Sequence, residues 1–562
     1  KLLKFMNGPK QFIIPIYQRT YSWTLKECKQ LWEDIIKAGN DNKISSHFFG
    51  SIVYVEKGLY QISTIPKLLL IDGQQRLATI SLILSALSKV IKDPIGEMTS
   101  DKLKNYYLIN RDEEEKRYKL ILTKSDKEAL FKIIDHKELS DEDSQRIKDN
   151  YIFFVEKISR SKIEEVLKGL NKLIIIDVSL DRERDNPQLI FESLNSTGLE
   201  LTQADLIRNF VLMGLEKQEQ DSLYNDYWSP MEKSFGYAKY SALFDRFMRD
   251  YLTIKTGKIP NIKDVYSAFK LYAKEFKGTK ELVEDIYKYS KYFVNIALEK
   301  EQDNEIKVVF SDINTLKVDV SYPFLLQVYE DYKQEKITKE EFMQILRYVE
   351  SYVFRRVICG IPTNSLNKTF ANLYKEIKHE NYLESFKAAL LLKDSYRRFP
   401  RDKEFREQLL IKDVYNFRSR NYLLRKLENH NRKELVNVES YTIEHIMPQN
   451  ENLSNEWKQE LGENWKEVHD KYLHTIGNLT LTGYNPELSD KPFKEKKDME
   501  GGFADSPIRL NQSLAKLEHW NEQEILNRTK ILSDLAVQIW NCPELDQEIL
   551  NKYKIAKKEK PE

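Results

Sequence analysis

Apolar and polar positions change their spacing twice along this chain and divide it into three stretches. In roughly the first two hundred residues, short apolar runs alternate with longer helical patterns. Phe48 to Val55 and Leu68 to Ile71 have strand character. The second runs straight into Asp72-Gly73-Gln74-Gln75-Arg76, after which Leu77 to Ile91 keep a helical apolar content. The charged, helix-like stretch at about 100–170 reads as an insertion, with a charge cluster at 112–117. Lys172 to Ser179 (KLIIIDVS) reads as the strongest buried strand of the chain. Pro187 to Asn195 then lead into a Ser-Thr-Gly turn, and Thr202 and Asp205 have capping-box spacing at the next helix start. From about 211 to 430 the pattern is helical, with Tyr and Phe three and four residues apart, which predicts helix–helix packing. From Asn431 it becomes strand, long loop, strand, helix, and beyond Asn551 a Lys-rich, frayed tail.

With 562 residues the chain exceeds one core, so several domains are expected: 1–210, 211–430 and 431–550. The hydrophobic share of 41% is enough to fill them, and the charged share of 31% suits a soluble protein. No apolar run is long enough for a bilayer and residues 1–10 lack a signal-peptide core, so a cytoplasmic protein without membrane association is expected. Cys28, Cys359 and Cys542 are widely separated, which argues against a disulfide framework or structural zinc. The net charge of +1 argues against tight, indiscriminate nucleic-acid binding. Local basic runs at 397–401, 418–425 and 491–497 are either solvated faces or contacts to a polyanion.

Two constellations carry candidate chemistry. Near the C-terminal end, Glu444-His445-Ile446-Met447-Pro448 is followed by Gly477-Asn478-Leu479-Thr480 and, past Asn485, by a short basic helix. A His beside a carboxylate, then a strand with Asn, then a further amide, has the shape of a one-metal nuclease finger. There a neutral imidazole takes a proton from water, while a divalent cation on oxygen ligands offsets the charge of the leaving group. Near the N-terminal end, Asp72 to Arg76 form a strand–turn–helix junction that points backbone N–H groups at an anion. It adds a carboxylate, a glycine and an Arg suited to phosphate. Tyr21 and Trp23, in the extended segment 14–23, read as core packing.

The blocks IPIYQRTYSW (14–23), LLIDGQQRLATI (69–80) and FESLNSTGLELTQADLIRNF (191–210) resemble the N-terminal domain of GmrSD-type restriction endonucleases. EHIMPQ (444–449) and IGNLTLTGYNPELSDKPFKEKK (476–497) resemble their HNH-like nuclease domain. The resemblance implies a multidomain α+β protein: a ParB- or sulfiredoxin-like α/β domain that binds and hydrolyses a nucleoside triphosphate, a helical bridge, and a ββα-metal nuclease. In that reading Asp72, Gly73, Gln74, Gln75 and Arg76 line the nucleotide site, Gln18 and Arg19 couple it to DNA, and Asn195 and Gly198 close the pocket. Asn195 also reads as a helix C-cap.

At the other end His445 is the general base, and Asn478 fixes its tautomer or serves as a turn amide. Glu444 and Asn485 or Asp490 are candidate ligands for Mg²⁺ or Mn²⁺. Asp490 stands where relatives often carry Asn, so the choice of last ligand stays open. Neighbours on a strand point to opposite faces, so Glu444 and His445 share one metal only at a bulge or strand end. Lys494, Lys496 and Lys497 would face the DNA backbone. His474 would be auxiliary or, like His469, a solvated loop His. The function implied is nucleotide-dependent, modification-sensing cleavage of double-stranded phage DNA, with a homodimer allowed. Two rivals are an RNA- or tRNA-directed nuclease and a nucleotide-regulated DNA-binding protein with a degenerate finger.

Overall fold

The computed structural model describes all residues except 58–64, 112, 182–184, 186, 196–200, 237–238 and 559–562, and all their side chains except at 124–125, 187, 194–195 and 556–558. The chain divides into two units, Lys1–Asp245 with Lys263–Glu284, and Arg246–Ile262 with Asp285–Glu562.

The first unit is built on a five-stranded sheet of order β4-β1-β3-β2-β5. Its strands are β1 (Gln11–Ile13), β2 (His47–Lys57), β3 (Lys67–Asp72), β4 (Leu120–Ile121) and β5 (Leu173–Leu180). The β1–β3, β1–β4 and β2–β5 pairs are parallel, and β2–β3 is antiparallel. Helix Leu25–Asn40 opens with a reciprocal cap, Thr24 with Glu27, and buries Cys28, Leu31, Trp32 and Ile35 on one stripe. Helix Gln74–Val90 is buried on nearly every face, because the sheet and helix Gln145–Ser159 both cover it. Thr202 caps helix Gln203–Leu212 by accepting from the Asp205 N–H, as its spacing predicts.

Two expectations need correction. The stretch at 100–170 is no insertion outside the core, because β4 pairs with β1 and Leu103, Leu120, Leu130 and Phe154 share one apolar cluster with Leu70 and Leu77. β5 is not a buried strand either. Among the described residues it pairs only with β2, at the sheet edge, and Ile176 is 55% exposed. A continuous apolar run reads the same for a central strand and an edge strand, and only its pairing partners separate the two.

The second unit is mostly helical. Helix Lys339–Ile358, capped by Thr338 and Glu341, runs through its core. Phe354 stacks on Trp540 with ring centroids 4.1 Å apart, and the Trp540 Nε1 donates to the Tyr422 hydroxyl at 2.7 Å. Arg355 and Arg356 are buried beside them and donate to main-chain carbonyls, among them Trp540 O and Tyr396 O. Two antiparallel strands, β6 (Thr442–His445) and β7 (Leu479–Thr482), lie against this core through Leu479 and Leu481. The segment joining them is not a plain loop. It holds helices Asn455–Leu461 and Trp465–Tyr472, whose Trp457 and Val468 pack with Ile446, Met447, Phe493 and Trp520. No described helix is long and apolar enough to cross a membrane.

Candidate functional site

The β6–β7 register sets Glu444 opposite Thr480 and His445 opposite Leu479. As neighbours on a strand, Glu444 and His445 point to opposite faces, and each meets a different set of groups. The His445 ring is 4% exposed, and its Nε2 lies 3.0 Å from Nδ1 of His474. Tyr415 stacks on His474 and meets His445 edge-on, with centroids 5.2 Å and 4.5 Å away. The carbonyl of His474 accepts from the Val414 and Tyr415 N–H groups, which ties the pair to the helical core. Burial first, then the neighbouring His474 and Lys496, pull the His445 pKa down to about 3. The ring is therefore neutral near pH 7, with Nε2 engaged and Nδ1 left for other work. His474 is half-buried and not a solvated loop residue. His469 is buried too, and its Nε2 donates to Pro448 O at 2.9 Å.

Asn478 does not touch the His445 ring. Its Oδ1 accepts from Met447 N at 2.7 Å and from Trp520 Nε1, while its Nδ2 donates to Met447 O and Leu473 O. Three of the four bonds of this fully buried amide go to the backbone just after His445 and just before His474, and the fourth to the Trp520 indole. Asn478 thus positions both histidines through the main chain. Gly477 is required by close approach: a Cβ there would stand 2.1 Å from Thr529 Oγ1 and 2.6 Å from Ile525 O. Arg528 completes the clamp by donating to Ile476 O, Gly477 O, Leu479 O and Leu510 O. Burial lowers its pKa to about 9. Tyr415, Trp520 and Arg528 carry no motif signal, and no local pattern points to them.

On the other face, Glu444 Oε1 accepts from Lys496 Nζ at 2.6 Å, and the same ammonium donates to His445 O. Lys496 is therefore buried in an ion pair and is unavailable to DNA, contrary to expectation. Lys497 is also buried and donates to Leu517 O. Lys494 alone of the three is exposed. A six-residue helix, Phe493–Asp498, cannot turn all three of these residues to solvent while Phe493 anchors its inner face.

Burial raises the Glu444 pKa against the pull of Lys496, and the charge of Asp490 raises it further. The charge of Asp490 also acts on Lys496, but the ammonium's ion pair is with Glu444. Among the described residues no three His, Cys, Asp or Glu side chains form a ready-made metal set. Glu444 is a hard oxygen donor at a position that already holds a cation, and Asp490 is a second one within electrostatic reach; they fit Mg²⁺ or Mn²⁺ only in exchange for the ammonium. Asp490 also accepts from Asn450, and the Asn485 amide donates to Ile443 O.

In the first unit, β3 ends at Asp72, and Gly73, whose φ of +93° suits glycine, leads at once into helix Gln74–Val90. Gln18 Nε2 donates to Ile71 O; Gln75 accepts from Ser22 N and donates to Thr20 O. These two amides fasten the extended segment 14–23 to the turn. Arg76 donates to Ser51 O at 2.9 Å and pairs with Asp72 at 3.2 Å. Arg19 Nε and Gln74 Oε1 are buried without a partner among the described residues, and both side chains line one small cavity with Tyr21 and Asp126. At about 10 Å³ it has room for one water and none for a triphosphate. Asn195 ends helix Pro187–Asn195, but its side chain, like Gly198, lies outside the described residues.

Fold and clusters define a two-unit, mixed α/β and mostly helical protein with a clamped histidine pair in its second unit. Residues 2–212 match the model of the GmrSD restriction endonuclease N-terminal domain, and residues 399–535 match that of the GmrSD restriction endonucleases C-terminal domain. Together they cover more than half of the chain, which belongs to the GmrSD restriction endonuclease family and is an endonuclease whose substrate is DNA. No curated protein matches it.

Proposed function

We propose that this chain is a modification-sensing, nucleotide-dependent DNA endonuclease of the type IV restriction kind, with a ParB- or sulfiredoxin-like first unit and an HNH-like finger. The observation that carries this reading is the contact between His445 Nε2 and His474 Nδ1 at 3.0 Å. With His474 accepting the Nε2 proton, His445 Nδ1 keeps its lone pair for water. The water oxygen attacks phosphorus, its proton passes to His445 Nδ1, and the bond from phosphorus to the leaving oxygen breaks. Burial keeps the ring uncharged before the step, and the hydrogen bond to His474 holds its orientation. Glu444 and Asp490, with Asn485 as a further oxygen, would hold Mg²⁺ or Mn²⁺ in place of the Lys496 ammonium. Bound there, such an ion supplies positive charge against the leaving phosphate oxygen.

For the first unit we propose nucleoside triphosphate binding and hydrolysis at the turn Asp72 to Arg76, with Gln18 and Arg19 linking it to DNA. The orphaned Arg19 Nε and Gln74 Oε1 support a polar ligand there. The cavity's small volume requires the turn to open first. Gating by nucleotide would keep such a nuclease harmless to its host until modified phage DNA arrives.

The test is cleavage of modified and unmodified DNA duplexes by the wild type and His445→Ala, with each nucleoside triphosphate in turn. Loss of a general base lowers the rate by about 10²–10⁴, so His445→Ala should not cut while still hydrolysing nucleotide. Cutting within a few-fold of wild type would remove His445 from the mechanism.

A further inference from the structure

A cleft of about 550 Å³ in the second unit is used by neither proposed site. It lies against helices Lys339–Ile358 and Arg420–Asn429. Its floor holds Arg347, Arg425 and Lys426, all three bonded to Asp312, which is 1% exposed. Arg347 and Lys426 also reach the buried Glu350, as does the Tyr422 hydroxyl. Three fixed positive charges thus share two buried carboxylates, which leaves a net positive floor. Of the two guanidinium groups, Arg347 uses NH1 and Arg425 uses NH2 on these acids, so each fork has further N–H donors. The acids hold the guanidinium groups in place, so a ligand meets a preorganised cation array.

The rim is different. Leu435 and Val308 line the same cleft and are 67% and 41% exposed, so the rim offers apolar surface to a ligand. Gln344 and Gln538 add amides. His430, also in the lining, is held below its usual pKa by burial and by the charges of Lys426 and Arg509. A cationic floor under an apolar and amide rim matches a ligand with an anionic end and a flat, hydrogen-bonding body. The volume falls in the range of roughly 300–1,000 Å³ usual for small-ligand sites.

We infer that this cleft binds a phosphate-bearing nucleoside: the phosphate on Arg347 and Arg425, the base against Leu435 and the amides. The source is either a free nucleotide or one nucleotide of a DNA strand. The inference stands on the cleft alone and does not depend on the role of His445.

Calorimetry on the full chain tests it, with deoxynucleoside 5′-monophosphates, a ten-nucleotide single strand and inorganic phosphate as probes. Three variants are compared: Arg425→Gln, Leu435→Glu and Val308→Trp. The last two change exposed rim positions and leave the buried ion cluster intact, so they report even if Arg425→Gln folds poorly. We expect at least a tenfold loss of affinity in each, smaller losses at high salt, and tighter binding of nucleotide than of phosphate. Loss for the monophosphates identifies a free nucleotide as the source, and loss for the strand alone identifies DNA. Unchanged affinity for both probes in the folded rim variants would overturn the inference, as would no binding by the wild type.

Discussion

His445 Nε2 and His474 Nδ1 stand 3.0 Å apart, so one ring must donate and the other accept. The stacked Tyr415 and the main-chain bonds to His474 O hold the His474 ring in place. Both histidines depend in turn on the Asn478 amide, which bonds Met447 on one side and Leu473 on the other.

Replacing His474 separates positioning from binding. With His474→Ala, kcat for DNA cleavage should fall about ten- to a hundredfold, within the range general-base chemistry contributes, while KM stays within about twofold. The acidic limb of the pH–rate profile should move, because the ring beside His445 is gone. His474→Asn, whose Oδ1 can accept the same proton, should recover part of kcat. An unchanged kcat in the Ala variant would assign His474 a packing role only.

Gly477→Ala should disturb the clamp itself. The added methyl collides with Thr529 and with the main chain at Ile525, so stability should drop by about 1–3 kcal/mol as in other overpacked cores. A double variant with Thr529→Ser would not relieve the Ile525 carbonyl contact and should stay destabilised. Denaturant midpoints equal to wild type would show that the turn yields freely.

Lys496→Met leaves Glu444 buried and unpaired, a change that costs about 3–5 kcal/mol in comparable sites. If the ammonium occupies the cation position, Mg²⁺ or Mn²⁺ should raise the melting temperature of this variant much more than that of wild type. Thermal melts with and without metal decide it. The same small response in both proteins would place the ion elsewhere.

Asp250 supplies a pH signature. Burial lifts its pKa to about 7, against a milder opposite pull from Arg246 and Arg249, and its Oδ2 has no partner among the described residues. Between pH 3.8 and about 7 the folded state keeps a proton that the unfolded state has lost. Stability from this group therefore falls as pH rises through that window, by about 1.4 kcal/mol per unit at most. Asp250→Asn should gain stability relative to wild type from pH 4 to 7 and level off above 7. Urea midpoints at several pH values measure the difference, and a constant offset would show that Asp250 does not titrate there.

Much of the site was legible locally. The strand–glycine–helix junction at Asp72 to Gln74 follows from an apolar run ending at a residue free to take positive φ. The order of strand, strand and helix around His445, Asn478 and Phe493 follows from motif spacing and alternation. The two helices between β6 and β7 leave no periodic signal in the sequence, because each spans only two turns and too few apolar positions to establish a period.

By itself the sequence determined the strand–glycine–helix junction at Asp72 to Gln74, the strands and helix around His445 and Asn478, and the family blocks at both ends, since these depend on residues close in sequence. Only the tertiary structure decided which charges are buried and which rings meet. Lys496 reads as a solvated cation until packing carries it 52 positions back along the chain to Glu444. His474 reads as a loop histidine until the segment between the strands folds and returns it, 29 positions on, to His445. β5 reads as a core strand until pairing leaves it at the sheet edge. In each case burial depends on partners distant in sequence, and the free energy of a charge or an apolar group is set by what surrounds it in space.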